Sequence, residues 1–116
     1  MSAQDNLGPQ FDRWSNGECG TYATALIRSK PGLQLGVAGT ADSDGGWYPH
    51  HYFAHDQANA YDSSGRHPLP YHGVNNQFDH VELGHDLESW GLPEDEGGDE
   101  DTLREATAHA RKIGLI

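Results

Sequence analysis

The chain holds a single cysteine, Cys19, and the residues around it are those a reactive thiol needs. It stands in the turn-forming run Asn16-Gly17-Glu18-Cys19-Gly20, directly before the helix-compatible stretch Thr21 to Arg28. A thiolate, not a thiol, is the nucleophile, and both the positive end of a helix and a nearby imidazole favour that form. Gly17 and Gly20 keep bulk away from the sulfur, so an acyl carbon can approach. The backbone amide of Cys19 then becomes a donor to the developing oxyanion. Such a nucleophile requires a base on another element, and the base requires a partner that orients it. His51 heads the segment Tyr52-Phe53-Ala54, and Asp62 follows Ala58-Asn59-Ala60-Tyr61, eleven residues beyond. A tight turn at Asp56-Gln57 makes these segments a hairpin, which brings His51 and Asp62 to neighbouring strand ends. The carboxylate would fix the imidazole tautomer and support its charged form.

The elements that must hold these three residues follow from pattern. Tyr22, Ala25, Leu26 and Ile27 give the first helix an apolar face at three-to-four spacing, and Pro31-Gly32 ends it. Leu33-Gln34-Leu35-Gly36-Val37 alternates as a first strand. The Asp-, Ser- and Gly-rich loop Thr40 to Gly46 leads to the hairpin, which Ser63-Ser64-Gly65 closes. Pro68 and Pro70 confine any following strand to a sheet edge. Residues 78–83 read as a further strand, and His85 to Trp90 as a short helical turn ended by Gly91 and Pro93. Leu103, Ala106, Ala110 and Ile113 recur at helical intervals. Acids before them and Arg111 and Lys112 after them suit the helix dipole. The order helix, strand, hairpin, helix predicts an α+β fold in one domain spanning 1–116. Within it, 1–16 form an N-terminal arm with Phe11 and Trp14 against the body, 93–101 an acidic linker and 102–113 a C-terminal helix.

The set Gly17-x-Cys19-x-x-x-Ala23-x-x-Leu26, His51-Tyr-Phe-Ala and Ala60-Tyr61-Asp62-Ser-Ser-Gly65 resembles the core of the papain-like cysteine hydrolase superfamily. It is closest in style to the compact bacterial and phage members, such as the NlpC/P60 hydrolases and the transglutaminase-like domains. The likeness runs from about Asn16 to Gly65. It implies a helix bearing Cys19 packed on a small antiparallel sheet bearing His51 and Asp62. The implied activity is that of a peptidase, amidase, deamidase or acyltransferase on an amide-type substrate. Where papain has an oxyanion-stabilising glutamine six residues before its cysteine, this chain has Arg13. Gln10 and Asn16 are the amide side chains at hand for that task, together with Gly20, and Trp47 is placed at the rim of the cleft.

Two other functions compete. His50, His51, His55 and Asp56 lie close in sequence, and His51 and His55 share a strand face. With His80 or His85 they would make a zinc site, although neither HExxH nor zinc-finger spacing is present. A degenerate papain-like scaffold would instead serve as an acidic binding or inhibitor protein. The cysteine is then a small buried hydrophobe, and Asp-Ser-Ser-Gly only a turn.

Composition narrows the partners. Eighteen acidic residues against seven Lys and Arg give a formal net charge of −11. Such a surface repels nucleic acid and anionic membranes and attracts a cationic protein or peptide. No run of 18 apolar residues marks a membrane span. The start of the chain lacks a secretory pattern, and one cysteine forms no internal disulfide, so a cytoplasmic, reducing setting is expected. No cofactor is implied.

Overall fold

A computed structural model describes residues 18–73, 76–92 and 99–116. Helix α1 (Cys19–Ser29) is followed by strands β1 (Gln34–Ala41), β2 (Trp47–His55), β3 (Asn59–Asp62), β4 (Gly65–Pro68) and β5 (His80–His85). A single 3₁₀ turn (Glu88–Trp90) and helix α2 (Glu100–Lys112) complete the described elements. The strands form one antiparallel sheet in the order β4-β3-β2-β1-β5. The fold is therefore α+β. The arm 1–16, with Phe11 and Trp14, and most of the linker lie outside the described residues.

Aspartates shape the turns that set the register. Asp42 Oδ1 accepts from the amides of Asp44 and Gly46 between β1 and β2, and Asp56 Oδ1 accepts from Ala58 and Asn59 between β2 and β3. A carboxylate that mimics the turn's own backbone acceptor is the reason Asp is favoured there. The β1–β2 register shifts between Ala38 and Gly39, opposite Pro49 and His51. Gly39 is required at that irregularity, because a Cβ there would lie 1.9 Å from the carbonyl oxygen of Tyr48.

The sheet buries side chains on both faces, as strict alternation demands. Leu35 and Val37 of β1 pack with Ala23 of α1 and Leu92, whereas Ala38, Phe53, Ala60 and Tyr71 form a separate cluster. Gly36 belongs to the latter side, where the Phe53 ring lies where its Cβ would stand. Helix α1 touches both the sheet and α2, so every residue from Cys19 to Leu26 is buried. The expected inner face (Tyr22, Ala25, Leu26) is thus too narrow: Thr21, Ala23 and Thr24 are also covered, while Ile27 is only half-buried. Tyr22, Ala25, Leu26 and Ala54 join Leu103, Ala106 and Ala110 of α2 in the main cluster. By the usual cost of a buried leucine, truncating Leu26 removes about 2–5 kcal/mol.

Helix α2 begins at Glu100, two residues before the expected boundary, because Asp99 caps it by accepting from the Thr102 amide at 2.8 Å. At its other end Ile113 is exposed, not part of the apolar stripe as expected. The amides of Gly114 and Leu115 bond back to Arg111 and Ala110, with Gly114 at φ +85°, and this Schellman turn folds Leu115 into the core instead.

Candidate functional site

Three elements converge on the cysteine. Cys19 is the first residue of α1, and the first turn carries no acidic side chain to occupy the positive end of the helix. Gly20 follows it, buried, with its carbonyl accepting from the Thr24 hydroxyl at 2.8 Å. His51 lies in β2, and its Nε2 is 2.9 Å from Oδ2 of Asp62, the last residue of β3. An ionised carboxylate only accepts, so Nε2 carries the proton of that bond. His51 is also hydrogen-bonded to the side chain of Cys19. With Nε2 committed to Asp62, Nδ1 is the ring atom left for the sulfur. Cys19, His51 and Asp62 thus form one connected chain, and each is about 95% buried.

Four further groups complete the site, and the motifs assigned a role there to none of them. The Tyr52 amide points at Sγ of Cys19 from 3.5 Å, a backbone donor that supports negative charge on sulfur. The Tyr71 hydroxyl donates to the same Asp62 oxygen that His51 uses. On the other oxygen, Asp62 accepts from both the amide of Ser64, at 2.9 Å, and its hydroxyl. Ser64 has one hydroxyl proton and gives it to Asp62. His67, whose Nε2 is 2.7 Å from Ser64 Oγ, must therefore donate to that oxygen. Nε2 of His67 is also 3.5 Å from Asp62 Oδ1, and its ring stacks on Tyr71 with centroids 4.5 Å apart. The signal for Ser64 was present in the turn Asp62-Ser63-Ser64-Gly65. Tyr71 and His67 come from residues that only the fold brings back.

Charge follows from these contacts. Burial alone would raise the Asp62 pKa, but hydrogen bonds from His51, His67 and Ser64 and the positive charge of His51 hold it well below the usual carboxylate range. Burial would likewise lower that of His51. The hydrogen bonds and charges of Asp62 and Cys19 outweigh it and push His51 up to about 10. The imidazolium is therefore the form the site holds at neutral pH. Tyr71 is raised by burial and by the Asp62 charge, so it stays a donor.

The remaining sequence candidates separate. Gln10 and Asn16 lie outside the described residues. Trp47 stands at the opposite end of β2 from His55, half-buried, with its ring over His80 at 4.2 Å and edge-on to Trp90. Trp90 in turn meets the Tyr52 ring at 6.0 Å, so an aromatic row joins Trp47 to the residue after His51. The histidines considered for zinc have other partners. Among the described residues no three His, Cys, Asp or Glu side chains are grouped to hold a metal ion. His51 is spent on Asp62 and Cys19. His55 donates through Nδ1 to the Asp56 carbonyl and accepts at Nε2 from the Gly84 amide, which ties β2 to the end of β5. His80 and His85 bind the two oxygens of Glu82. Among the described residues no helix is long and apolar enough to cross a membrane.

Compared with known proteins, the chain matches no family model, no curated protein and no solved structure.

Proposed function

We propose that this protein is a cysteine hydrolase or acyltransferase of papain-like type, acting on an amide or related acyl group with Cys19 as nucleophile, His51 as proton carrier and Asp62 as its orienting partner. The observation that carries the reading is the continuous hydrogen-bonded chain from Cys19 through His51 to Asp62, on a helix start and two adjacent strands. Sγ attacks the acyl carbon, and the cationic His51 gives its proton to the departing amine as the C–N bond breaks. The neutral imidazole then takes a proton from water or from an acceptor amine. That nucleophile opens the thioester; as the C–S bond breaks Cys19 leaves as the thiolate, and the proton retained on His51 restores the starting pair. The Cys19 amide is the oxyanion donor in this scheme, and the Tyr52 amide stabilises the sulfur charge before attack. The −11 net charge favours cationic peptides or proteins as substrates.

A second reading has its own observation. Cys19 and His51 are each no more than 5% exposed, which suits an acidic binding or inhibitor protein that keeps the triad as a structural core. Alkylation separates the two. In the catalytic reading, iodoacetamide modifies Cys19 at least tenfold faster than a free peptide thiol at pH 6, where free thiols are protonated, and His51→Ala abolishes the advantage. Slow alkylation that rises only with hydroxide and ignores His51→Ala selects the binding protein. A screen of acyl substrates against Cys19→Ala then identifies the reaction.

A further inference from the structure

On the helical side of the molecule, away from Cys19, α1 and α2 leave a groove of about 390 Å³ between them. Ala25, Leu103 and Ala108 are apolar residues of its lining, and Arg28, Arg104 and Arg111 its cationic ones. The chain has seven Lys and Arg in all, against eighteen acids. Three of the seven therefore meet at one groove, on a protein whose overall field repels anions.

Position at helix ends explains part of this. Arg28 and Arg111 each stand in the last turn of their helix, where a cation suits the dipole. That accounts for either residue alone but not for their lining the same groove. Arg28 and Arg111 have no ion-pair partner among the described residues, whereas Arg104 is paired to Asp101 at 2.9 Å. With Glu100 also on the groove, free positive charge is concentrated in Arg28 and Arg111. A guanidinium presents a planar fork of donors that matches phosphate oxygens, and two or three such forks suit a dianion better than a single carboxylate. The apolar lining and a volume in the range of small-ligand sites leave room for an organic body beside the charged group.

We infer that this inter-helix groove binds a small phosphomonoester, its phosphate held by Arg28 and Arg111 and its apolar part lying against Ala25, Leu103 and Ala108. The site is separate from the cysteine centre and stands whether or not that centre is catalytic.

The test is a ¹⁵N-HSQC titration of the whole chain with phenyl phosphate. Saturable shifts confined to the α1–α2 groove are expected, with benzoate, a monoanion of similar body, binding at least tenfold more weakly. Arg28→Gln and Arg111→Gln should each weaken phenyl phosphate at least fivefold. Lys30→Gln and Lys112→Gln, which remove equal charge near the helix ends but off the groove, should leave it within twofold. Thermal unfolding of each variant confirms that it is folded. The absence of saturable shifts overturns the site, as does equal binding of benzoate. Equal weakening by the lysine variants overturns it too, since the effect is then a diffuse field.

Discussion

Two carboxylates in this molecule each stand between two histidines, and they make opposite use of them. Asp62 faces His51 and His67 at the buried end of β3; Glu82 faces His80 and His85 on the edge strand β5. The contact distances to the nearer imidazole are almost equal, 2.9 Å at Asp62 and 2.8 Å at Glu82. Exposure is not: the Asp62 side chain retains 5% of its accessible surface and that of Glu82 retains 37%. Glu82 is open to solvent, which screens its charge, whereas Asp62 takes its further hydrogen bonds from Tyr71 and Ser64. Distance makes an ion pair, but burial decides whether the protein depends on it.

Removing Asp62 has the largest expected effect. Asp62→Ala leaves His51, Tyr71 and the Ser64 hydroxyl without their shared acceptor, and a half-broken buried pair is costly. The expected loss is about 3–5 kcal/mol of unfolding free energy at pH 7, measured by urea denaturation. A loss below about 1 kcal/mol would mean that the buried network contributes no more than a surface pair.

Local sequence carries part of this arrangement, and long-range pairing carries the rest. Cys19, His51 and Asp62 were readable because each is local information: a glycine-flanked helix start and the two arms of a tight hairpin. The edge position of β4 followed from Pro68 and Pro70, since proline cannot donate to a second neighbour. Tyr71 and His67 were not readable. His67 meets Asp62 across the β3–β4 turn, and Tyr71 is returned to it by the course of the chain after β4. Neither contact leaves a periodic trace. The full burial of α1 was also hidden, because a helix covered by both a sheet and a second helix needs no polar face. Its threonines, Thr21 and Thr24, look like solvent positions until both partners are in place. His55 was placed on the right face, but its tie to Gly84 depends on β5 lying next to β1, a pairing between segments far apart in sequence.

The buried pair is sharpened by its pH dependence. His51 is raised from 6.5 to about 10, opposed by burial but driven by Asp62 and Cys19. The folded chain therefore holds a proton that the unfolded chain has released between those two values. Stability from this group is complete below pH 6.5 and is lost as pH rises toward 10, with a slope of up to about 1.4 kcal/mol per pH unit. Asp62 works in the other sense, its stabilisation being present above its ordinary 3.8 and lost as the pH falls through its depressed folded value. The two define a plateau from about pH 4 to 6.5. Urea denaturation across pH 6–10 should show the alkaline decline in the native chain and a markedly flatter profile in His51→Gln. Parallel profiles would remove His51 as the source.

The smallest effect is expected on the exposed side, and its smallness is what the comparison requires. Glu82 is lowered below its ordinary value by hydrogen bonds from His80 and His85, so the pair does carry an interaction. More than a third of each of Glu82 and His80 is open to solvent, however, so most of it is returned to water and counter-ions. Glu82→Gln keeps the size and one acceptor oxygen while removing the charge. It should change unfolding free energy by no more than about 1 kcal/mol in low salt. In 0.5 M NaCl, where screening extends only a few ångströms, the difference should shrink toward zero. The loss in Asp62→Ala should persist under the same salt, because no ion reaches a carboxylate closed over by His51, Tyr71 and Ser64. If salt erased both effects alike, burial would not be what separates the two histidine–carboxylate clusters.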